Sequence, residues 1–592
     1  METSSAAQND AQDSCFPLAQ TVPNVARSPG RGLLHRVREL NARSFKARAN
    51  VPTYVWCAIF TALGGFCFGF DTGSIGPLIV MPQFQQHFFR DEAIDPTVQG
   101  LVVSSILLTA SLSSLLSGPL SNRISRIRTI SLGAVVFAAG SAIACASGHL
   151  PQLFVGRCIA GVGEGIFLSA ITVYTVEISP TSSRGRLGAV VQLFITIGIA
   201  SGFFVCYGTS RIHSSLSWRF PLGMQSIVSI ILAAGCPFLP HSPRWLHHVG
   251  RHGEARTAWE RLGVSAAEVE KTEQATQREE VPREGFWKEM NQMWRKGIRA
   301  RTALGVFLSG MQQASGIDGV LYYAPILFSQ AGLSSTTSSF IASGISGLVL
   351  MICTFLCQFF TDTWGRRPSM IYGGSVVAGS MLTIGMLYAS GATDHASGRW
   401  AVIALIYIFV IVFTCTWAIC VRIICSEIQP TRTRAAVSSL GQCANWGVNW
   451  LIAFSTPLFL AKSSSGPYFL FGACSLLTTL VCLAFQPETR GASLEEVDEA
   501  FTQPPWKSLL GSTSLFGRRH RRGESGQRQP SENEDELELD VIHLPEVRFG
   551  GPWHYAHRLT DDRLARLLQV PEYLAARDSE AHRSTTQNVQ SD

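Results

Sequence analysis

The amino-acid sequence predicts an all-α membrane protein whose twelve transmembrane helices form two six-helix bundles. Three observations support this fold class. The chain has 592 residues, of which 46% are hydrophobic and only 15% charged. Apolar segments of about 20 residues, long enough to cross a bilayer, recur along it. Loops with the same motifs occur in both halves. A soluble domain carries more charge and shorter apolar stretches, so the composition excludes a soluble globular protein.

Each apolar segment has the length that a helix needs to cross roughly 30 Å of hydrocarbon. The first segment is too long for the apolar part of a secretory signal, so we interpret it as a transmembrane span. The predicted spans cover residues 54–80, 98–120, 129–147, 151–174, 187–210, 220–240, 303–330, 336–360, 369–390, 400–426, 434–460 and 466–486.

A charged segment separates these spans into two sets of six. The predicted regions are an N-terminal tail (1–53), a first bundle (54–240), a charged linker with short helices (241–300), a second bundle (301–490) and a C-terminal tail (491–592). Both tails are polar and are predicted to be mostly disordered. Arginines are concentrated in the short loops on one side of the membrane, so the positive-inside rule predicts that both termini and the linker are cytoplasmic. The plasma membrane is the expected location.

The two halves carry related loops at corresponding positions. Residues 118–128 (GPLSNRISRIR) follow the second span of the first half, and residues 361–368 (TDTWGRRP) follow the second span of the other half. After the fourth span of each half comes an acid–proline–arginine loop, EISPTSSRGR at 177–186 and EIQPTRTR at 427–434. Such a repeat is typical of transporters that bind their solute between the two halves.

The most polar stretch inside a predicted span is QQASGIDGVLYY, residues 312–323. Two amides, a glycine and a carboxylate at membrane depth are costly unless they face a wet cavity or a polar partner. This stretch therefore indicates a solute pathway.

Together, several motifs resemble the sugar porter family of the major facilitator superfamily. They are GGFCFGFDTG (64–73), GRCIAGVGEG (156–165), EISPTSSRGR, QLFITIG (192–198), LPHSPRWL (239–246), the polar stretch at 312–323, DTWGRRP and PETRGASLEEVD (487–498). The resemblance covers residues 54 to 498. It implies the major facilitator fold, a solute bound at mid-membrane depth, and alternating access by two rocking bundles.

The resemblance also implies a proton-coupling pair. In family members thought to move a sugar together with a proton, an acid at the Asp71 position pairs with an arginine at the Arg157 position. Protonation of the acid releases the arginine. The alternative is a static ion pair that only orients the helices.

Five residues match family positions that hydrogen-bond to a sugar or stack on it: Gln192, Gln312, Gln313, Asn445 and Trp446. Amides suit hydroxyl-rich solutes because each offers both a donor and an acceptor. The alternative for any single amide is a hydrogen bond between helices.

The tenth and seventh spans depart from the family pattern. Trp417 is retained, and we include it among the candidate solute-binding residues, but Ala418 and Ile419 replace Gly and Pro. Arg422 replaces a second, sugar-contacting Trp, and Asp318 stands where Asn is usual. Since a charge in the membrane costs at least about 2.5–3.5 kcal/mol, we hypothesise that these two charges face each other. Either they neutralise each other, or Arg422 binds an anionic group of the solute.

Other departures lie elsewhere in the bundles. Leu350 replaces an Asn that is common in the eighth span, and Glu164 adds an acid to the fourth. On the cytoplasmic side, Asn122 and His241 replace two acids of the family's charge network, so we expect an altered balance between the outward- and inward-facing forms. The resemblance assigns that network to Arg123, Glu177, Arg186, Asp362, Arg366, Arg367 and Glu427.

The favoured function is secondary active transport of a sugar, polyol or related hydroxylated solute, coupled to protons. One alternative is transport of an anionic sugar acid, and another is efflux of a small polar metabolite. An alternative of a different class is a transporter-like nutrient sensor that signals through the C-terminal tail. No catalytic or metal-binding constellation is recognisable, so we expect no enzyme activity, cofactor, metal or nucleic-acid partner. The expected partners are the solute, a proton and the lipid bilayer, with the protein acting as a monomer.

Overall fold

A computed structural model describes residues 52–90, 94–180, 183–266, 269–270, 288, 291–333, 336–360, 365–430, 433–490 and 501. Every regular element in these ranges is a helix, and the predicted all-α fold class is confirmed. The predicted N-terminal tail up to residue 51, the C-terminal tail apart from Phe501, and Asp362 lie outside the described residues.

The first half contains six spans. They are formed by α1 (Thr53–Thr61) with α2 (Leu63–Val80), α4 (Pro96–Ile124), α5 (Arg126–Cys145), α6 (Leu150–Ile178), α7 (Arg184–Thr209) and α8 (Leu216–Gly235). A short helix, α3 (Pro82–Phe89), follows the first span. Two helices of the linker follow the sixth, α9 (Pro243–His248) and α10 (His252–Leu262).

The second half repeats this order. Its spans are formed by the broken helix α11 (Arg299–Ala314), α12 (Ile317–Tyr322) and α13 (Ala324–Gln330), by α14 (Thr336–Phe360) and α15 (Arg366–Ala389), by α16 (Ala396–Cys415) with α17 (Trp417–Glu427), and by α18 (Arg434–Lys462) and α19 (Gly466–Phe485).

Among the described residues, ten helical stretches are long and apolar enough to cross a membrane. The other two predicted spans, at 303–330 and 434–460, are helical but are interrupted or more polar. They are α11–α13 and α18, which carry most of the amides of the predicted solute pathway. These polar residues lower the mean hydropathy by which a span is recognised.

Helix packing follows the internal repeat. Helix α2 packs on α7 as α11 packs on α18, and α5 packs on α8 as α15 packs on α19. The two halves meet through α4 with α18 and through α7 with α14. The arginine-containing loops lie on one side of the bundle, where α4 meets α5 and α17 is followed by α18. We call this side the basic side.

Glycines bring α2 and α7 into direct backbone contact. A Cβ atom on Gly69 would lie 1.9 Å from the carbonyl oxygen of Ile195, and one on Gly73 would lie 2.1 Å from that of Ile199. Such distances leave no room for a side chain, and close backbone approach of this kind is how small residues pack membrane helices. Helices α2 and α7 therefore form one unit, which carries Asp71 and Gln192 together.

Candidate functional site: a polar cavity between the halves

A polar cavity lies between the two halves. The first half lines it with side chains of α2, α6 and α7, and the second half with side chains of α11, α12, α14 and α16–α18. Of the predicted solute-binding residues, the cavity brings together Gln192, Gln312, Gln313, Asp318, Arg422, Asn445 and Trp446.

The seventh span breaks where it reaches the cavity. Helix α11 ends at Ala314, and Gly316 adopts the left-handed conformation with φ +86. A Cβ atom there would lie 2.3 Å from the Phe471 ring, so glycine is required for its conformation and for the close packing. The break places Gln312 and Gln313 in the last turn of one helix and Asp318 in the first turn of the next. Interrupted helices at a central site are a feature of transporters.

Gln312 is held by its neighbours. Its Nε2 donates to the carbonyl oxygen of Trp417 at 3.0 Å, and its Oε1 accepts from Asn445 Nδ2 at 3.3 Å. Asn445 Nδ2 also contacts the Ser309 carbonyl oxygen at 2.9 Å. Gln313 Nε2 donates to Asn445 Oδ1 at 3.2 Å. These amides tie α11 to α17 and α18, so Gln312 makes hydrogen bonds between helices and also lines the cavity.

Four polar atoms on the cavity wall are buried without a hydrogen-bond partner among the described residues. They are Gln192 Oε1, Gln313 Oε1, Asn449 Oδ1 and Trp446 Nε1. Buried polar atoms are normally paired, so each such exception requires a reason. A solute in the cavity would supply partners for three acceptors and one donor. The indole of Trp446 also packs against the Phe68 ring of the other half, with 4.9 Å between ring centroids.

Trp417 lies outside the cavity. Its side chain is fully buried, and its Nε1 donates to the Met370 carbonyl oxygen at 3.1 Å. It contributes to the site indirectly, because its backbone oxygen accepts a hydrogen bond from the Gln312 side chain and holds that side chain in place. Leu350 and Ala418, by contrast, line the cavity, where they present apolar surface.

Asp318 and Arg422 both line the cavity, but they do not form a direct salt bridge. Asp318 Oδ2 accepts a hydrogen bond from Asn449 Nδ2 at 2.6 Å. The Arg422 side chain is exposed to the cavity, and within the described residues it makes no hydrogen bond or ion pair. The two charges still interact electrostatically. The hypothesis that they face each other is consistent with this geometry, and Arg422 keeps its donors free.

Asp71 and Arg157 form a buried two-pronged ion pair beside the cavity. Arg157 Nη1 and Nη2 lie 3.1 and 3.2 Å from the two carboxylate oxygens of Asp71. Nη2 also donates to the Val103 carbonyl oxygen at 3.1 Å, and Gln225 Nε2 donates to Asp71 Oδ1 at 3.2 Å. Gln225 was not among the predicted residues, although a lone amide within the apolar span 220–240 is a visible signal.

On the basic side of the first half, the arginine that pairs with Glu177 is Arg126, whereas Arg123 and Arg186 were predicted for this charge network. Arg126 Nε and Nη2 donate to the two oxygens of Glu177 at 2.8 and 2.9 Å, and Ser242 also donates to that carboxylate. Arg123 and Arg186 are exposed and make no ion pair within the described ranges. Each of the two substituted positions makes a hydrogen bond: Ser125 Oγ and His241 Nδ1 lie 2.8 Å apart, and Trp245 Nε1 donates to the Asn122 carbonyl oxygen.

In the second half, Arg366 Nη2 lies 3.5 Å from Glu427 Oε1, and Thr489 donates to the other oxygen of that carboxylate. Glu488, which was not among the predicted residues, accepts hydrogen bonds from the backbone N–H groups of Arg366 and Arg367 at 2.9 and 3.0 Å. It thereby caps the N-terminus of α15, a favourable position for a carboxylate.

Replacing Glu177 with Gln is expected to destabilise the first half. The Arg126–Glu177 pair is largely buried, with side chains 6% and 12% exposed, and breaking a buried pair costs roughly 3–5 kcal/mol. Thermal unfolding of the purified protein in detergent measures the loss. The matched control is Glu254→Gln, because Glu254 pairs with Arg251 at the exposed surface, where an ion pair contributes about 0–1 kcal/mol. Equal melting temperatures for the two variants would contradict the structural role of Glu177.

Comparison with known proteins agrees with this geometry. A family model described as "Sugar (and other) transporter" matches residues 57–501. The glucose transporter GlcP of Staphylococcus epidermidis is 31% identical over 441 residues, which cover 74% of this chain and 95% of that protein. The galactose-proton symporter of Escherichia coli is 29% identical over 455 residues, covering 76% of this chain and 95% of that protein.

Among solved structures, the proton:xylose symporter XylE bound to 6-bromo-6-deoxy-D-glucose matches with a TM-score of 0.64 at 24% identity. The match covers 76% of this chain and 99% of XylE, and it shows that the two proteins share the major facilitator fold. The family model and the relatives together span most of the chain. The chain therefore belongs to the sugar transporter family, whose members are multi-pass membrane transporters and not enzymes, and it has the major facilitator fold.

Proposed function

We propose that this protein couples the inward movement of protons to the uptake of a sugar, polyol or related hydroxylated solute, by alternating access. The observation that carries the proposal is the set of four unpartnered polar atoms on the cavity wall, which belong to Gln192, Gln313, Trp446 and Asn449. A hydroxyl group is both a donor and an acceptor, so a polyhydroxylated solute can satisfy the three acceptors and the single donor at once.

The distribution of these atoms links binding to movement. Gln192 lies on α7 in the first half, whereas Gln313, Trp446 and Asn449 lie on α11 and α18 in the second. A solute that bonds to both sets is held best when the halves are closed around it. Binding energy made only in the closed form favours that form, which is the requirement for a ligand-driven conformational change.

The Asp71–Arg157 pair supplies the proposed proton coupling. Thr72, the next residue after Asp71, lines the cavity, so the pair and the solute act on the same helix, α2. Protonation of Asp71 removes the charge that holds Arg157, and it weakens the link between α2 and α6. Proton and solute can therefore bias one structural unit, α2 with α7. The relatives support a hexose-type solute, because GlcP is a glucose transporter and the Escherichia coli relative is a galactose-proton symporter.

A second candidate solute is an anionic sugar acid. The observation that favours it is the Arg422 guanidinium, which faces the cavity with free donors while Asp318 is bound by Asn449. A planar guanidinium can bind a carboxylate through two parallel hydrogen bonds. Arg422 then recognises the acid group, and the amides recognise the hydroxyls.

Replacing Arg422 with Gln discriminates between the two solute classes. For a sugar acid, we expect a loss of affinity of roughly 10- to 100-fold, because hydrogen bonds to charged groups contribute about 1.5–3 kcal/mol. For a neutral sugar the affinity should stay within about threefold. Ligand-induced thermal stabilisation with D-glucuronate and D-glucose measures both. Wild-type protein that D-glucose stabilises and D-glucuronate does not would reject the sugar-acid candidate.

Uptake experiments separate transport from the remaining alternatives. Cells that produce the protein should accumulate a radiolabelled solute from a sugar and polyol panel, and an uncoupler should collapse the accumulation. Lower accumulation than in cells lacking the protein would indicate efflux. Binding without accumulation, together with signalling that is lost when residues beyond 500 are removed, would indicate a sensor.

We also propose that the protein acts as a monomer in the plasma membrane with both termini in the cytoplasm. The positive-inside rule supports this orientation, because Arg126 and Ser242 of the linker both bind Glu177 on the basic side. Protease digestion of a C-terminal tag in inside-out vesicles, compared with right-side-out vesicles, tests the orientation.

A further inference from the structure

A second carboxyl group, that of Glu164, is buried near the Asp71–Arg157 pair. Glu164 follows Arg157 by seven residues on α6, a displacement of about 10 Å along the helix axis toward the basic side. Its side chain is 1% exposed, and neither carboxylate oxygen has a hydrogen-bond partner within the described part of the chain. Ionisable residues at membrane depth normally pair, so the position of Glu164 requires an explanation.

The titratable groups around Glu164 are few. Asp71 of α2 and Arg157 of α6 interact with it electrostatically, and Cys67 of α2 is its remaining titratable neighbour. Helices α4 and α5, which pack against the same part of α6, present no charged side chain to it in the described ranges. The cluster thus combines two carboxyl groups with one guanidinium.

One guanidinium neutralises only one carboxylate. While Asp71 is ionised and bound to Arg157, an ionised Glu164 would be a second, unpaired buried anion, which is strongly unfavourable. The protonated form of Glu164 fits this state. When Asp71 takes up a proton, Arg157 becomes an unpaired buried cation. Release of the proton from Glu164 then restores neutrality.

We propose that Glu164 is a second proton-binding carboxyl of the coupling site, and that Arg157 alternates between Asp71 and Glu164. In one step an O–H bond forms at Asp71 and an O–H bond breaks at Glu164, so the cluster holds one proton before and after. Side chains on a helix lean toward its N-terminus, so the Glu164 carboxyl reaches back toward Arg157. Because Glu164 lies toward the basic side, its proton leaves in that direction. This proposal rests on the proposed coupling role of Asp71.

Infrared spectroscopy of the purified protein tests the proposal without a solute, so its outcome is independent of whether the proposed solute class is right. The difference spectrum of wild type minus Glu164→Gln at neutral pH should show the C=O stretching band of a protonated carboxylic acid. The same difference taken in the Asp71→Asn background should lack this band, because Arg157 has lost its partner and the ionised Glu164 neutralises it. Glu254→Gln is the control, because it alters an exposed carboxylate. The difference spectrum of wild type minus Glu254→Gln should lack the band.

Two results would overturn the proposal. Absence of the band in the first difference would show that Glu164 is ionised while Asp71 holds Arg157. Persistence of the band in the Asp71→Asn background would show that Glu164 stays protonated and takes no part in the exchange. If Glu164→Gln does not fold, Glu164→Asp replaces it: the band should then shift in frequency in the wild-type background and be absent from both proteins in the Asp71→Asn background.

Discussion

Replacing Asp71 with Asn is expected to abolish proton-driven accumulation of the solute while leaving solute exchange intact. Asn cannot bind or release a proton at this position, so it resembles the protonated acid permanently. The ion pair with Arg157 therefore no longer forms and breaks as protons are released and bound. A gradient of about two pH units supplies roughly 2.7 kcal/mol per proton. For one proton per solute this corresponds to about 100-fold accumulation in the wild type. In the variant the ratio of internal to external solute should fall to about one.

The measurement compares accumulation with counterflow exchange in the same vesicles. Asp394→Asn is a matched control, because Asp394 is an exposed carboxylate in the short helix Ala392–Asp394 and does not line the cavity. It should accumulate solute like the wild type. An Asp71→Asn protein that still accumulates solute against its gradient would show that the Asp71–Arg157 pair is static.

The second large effect is expected for Gln313. Its Oε1 is a buried, unpartnered acceptor on the cavity wall, and its Nε2 is engaged by Asn445. Replacement by Ala leaves one solute hydroxyl unpaired in the bound state, whereas the Asn445 oxygen loses its partner with or without solute and so does not change the affinity. Each buried unsatisfied group costs about 1–3 kcal/mol. We therefore expect the apparent KM to rise by roughly 10- to 100-fold, measured as initial uptake rate against solute concentration.

Gln330→Ala is the control for this variant, because Gln330 is an exposed amide at the end of the same broken span. Its KM should remain close to that of the wild type. Gln192→Ala should also raise the KM, because Gln192 offers an unpartnered oxygen from the opposite half. Equal KM values for Gln313→Ala, Gln330→Ala and the wild type would show that the unpartnered Gln313 oxygen does not bind the solute.

Much of the fold could be predicted because a membrane constrains both length and polarity. A span needs about 20 apolar residues, so the apolar segments indicate the helices. Charges within them must pair or face a cavity, which is why Asp71, Arg157 and Asp318 stood out. The repeat of loop motifs predicted the division into two halves, and α4 contacts α18 and α7 contacts α14 across that predicted division.

Side-chain direction could not be predicted in the same way. Ser125 adopts a positive φ of 91 between α4 and α5, and directly after this turn Arg126, and not Arg123, reaches Glu177. The rotation of α17 after the break at Thr416 turns Trp417 into the bundle, while Arg422 faces the cavity. Such rotations depend on tertiary packing, and the sequence pattern does not report them.

Proton movement driven by the solute tests the central claim most directly. Purified protein in liposomes, with no initial pH gradient and a pH indicator in the external medium, receives the solute identified by the uptake panel. We predict that solute entry makes the external medium more alkaline, and that the Asp71→Asn variant produces no pH change while still exchanging solute. Solute entry into wild-type vesicles with no change in external pH would contradict proton-coupled transport by this protein.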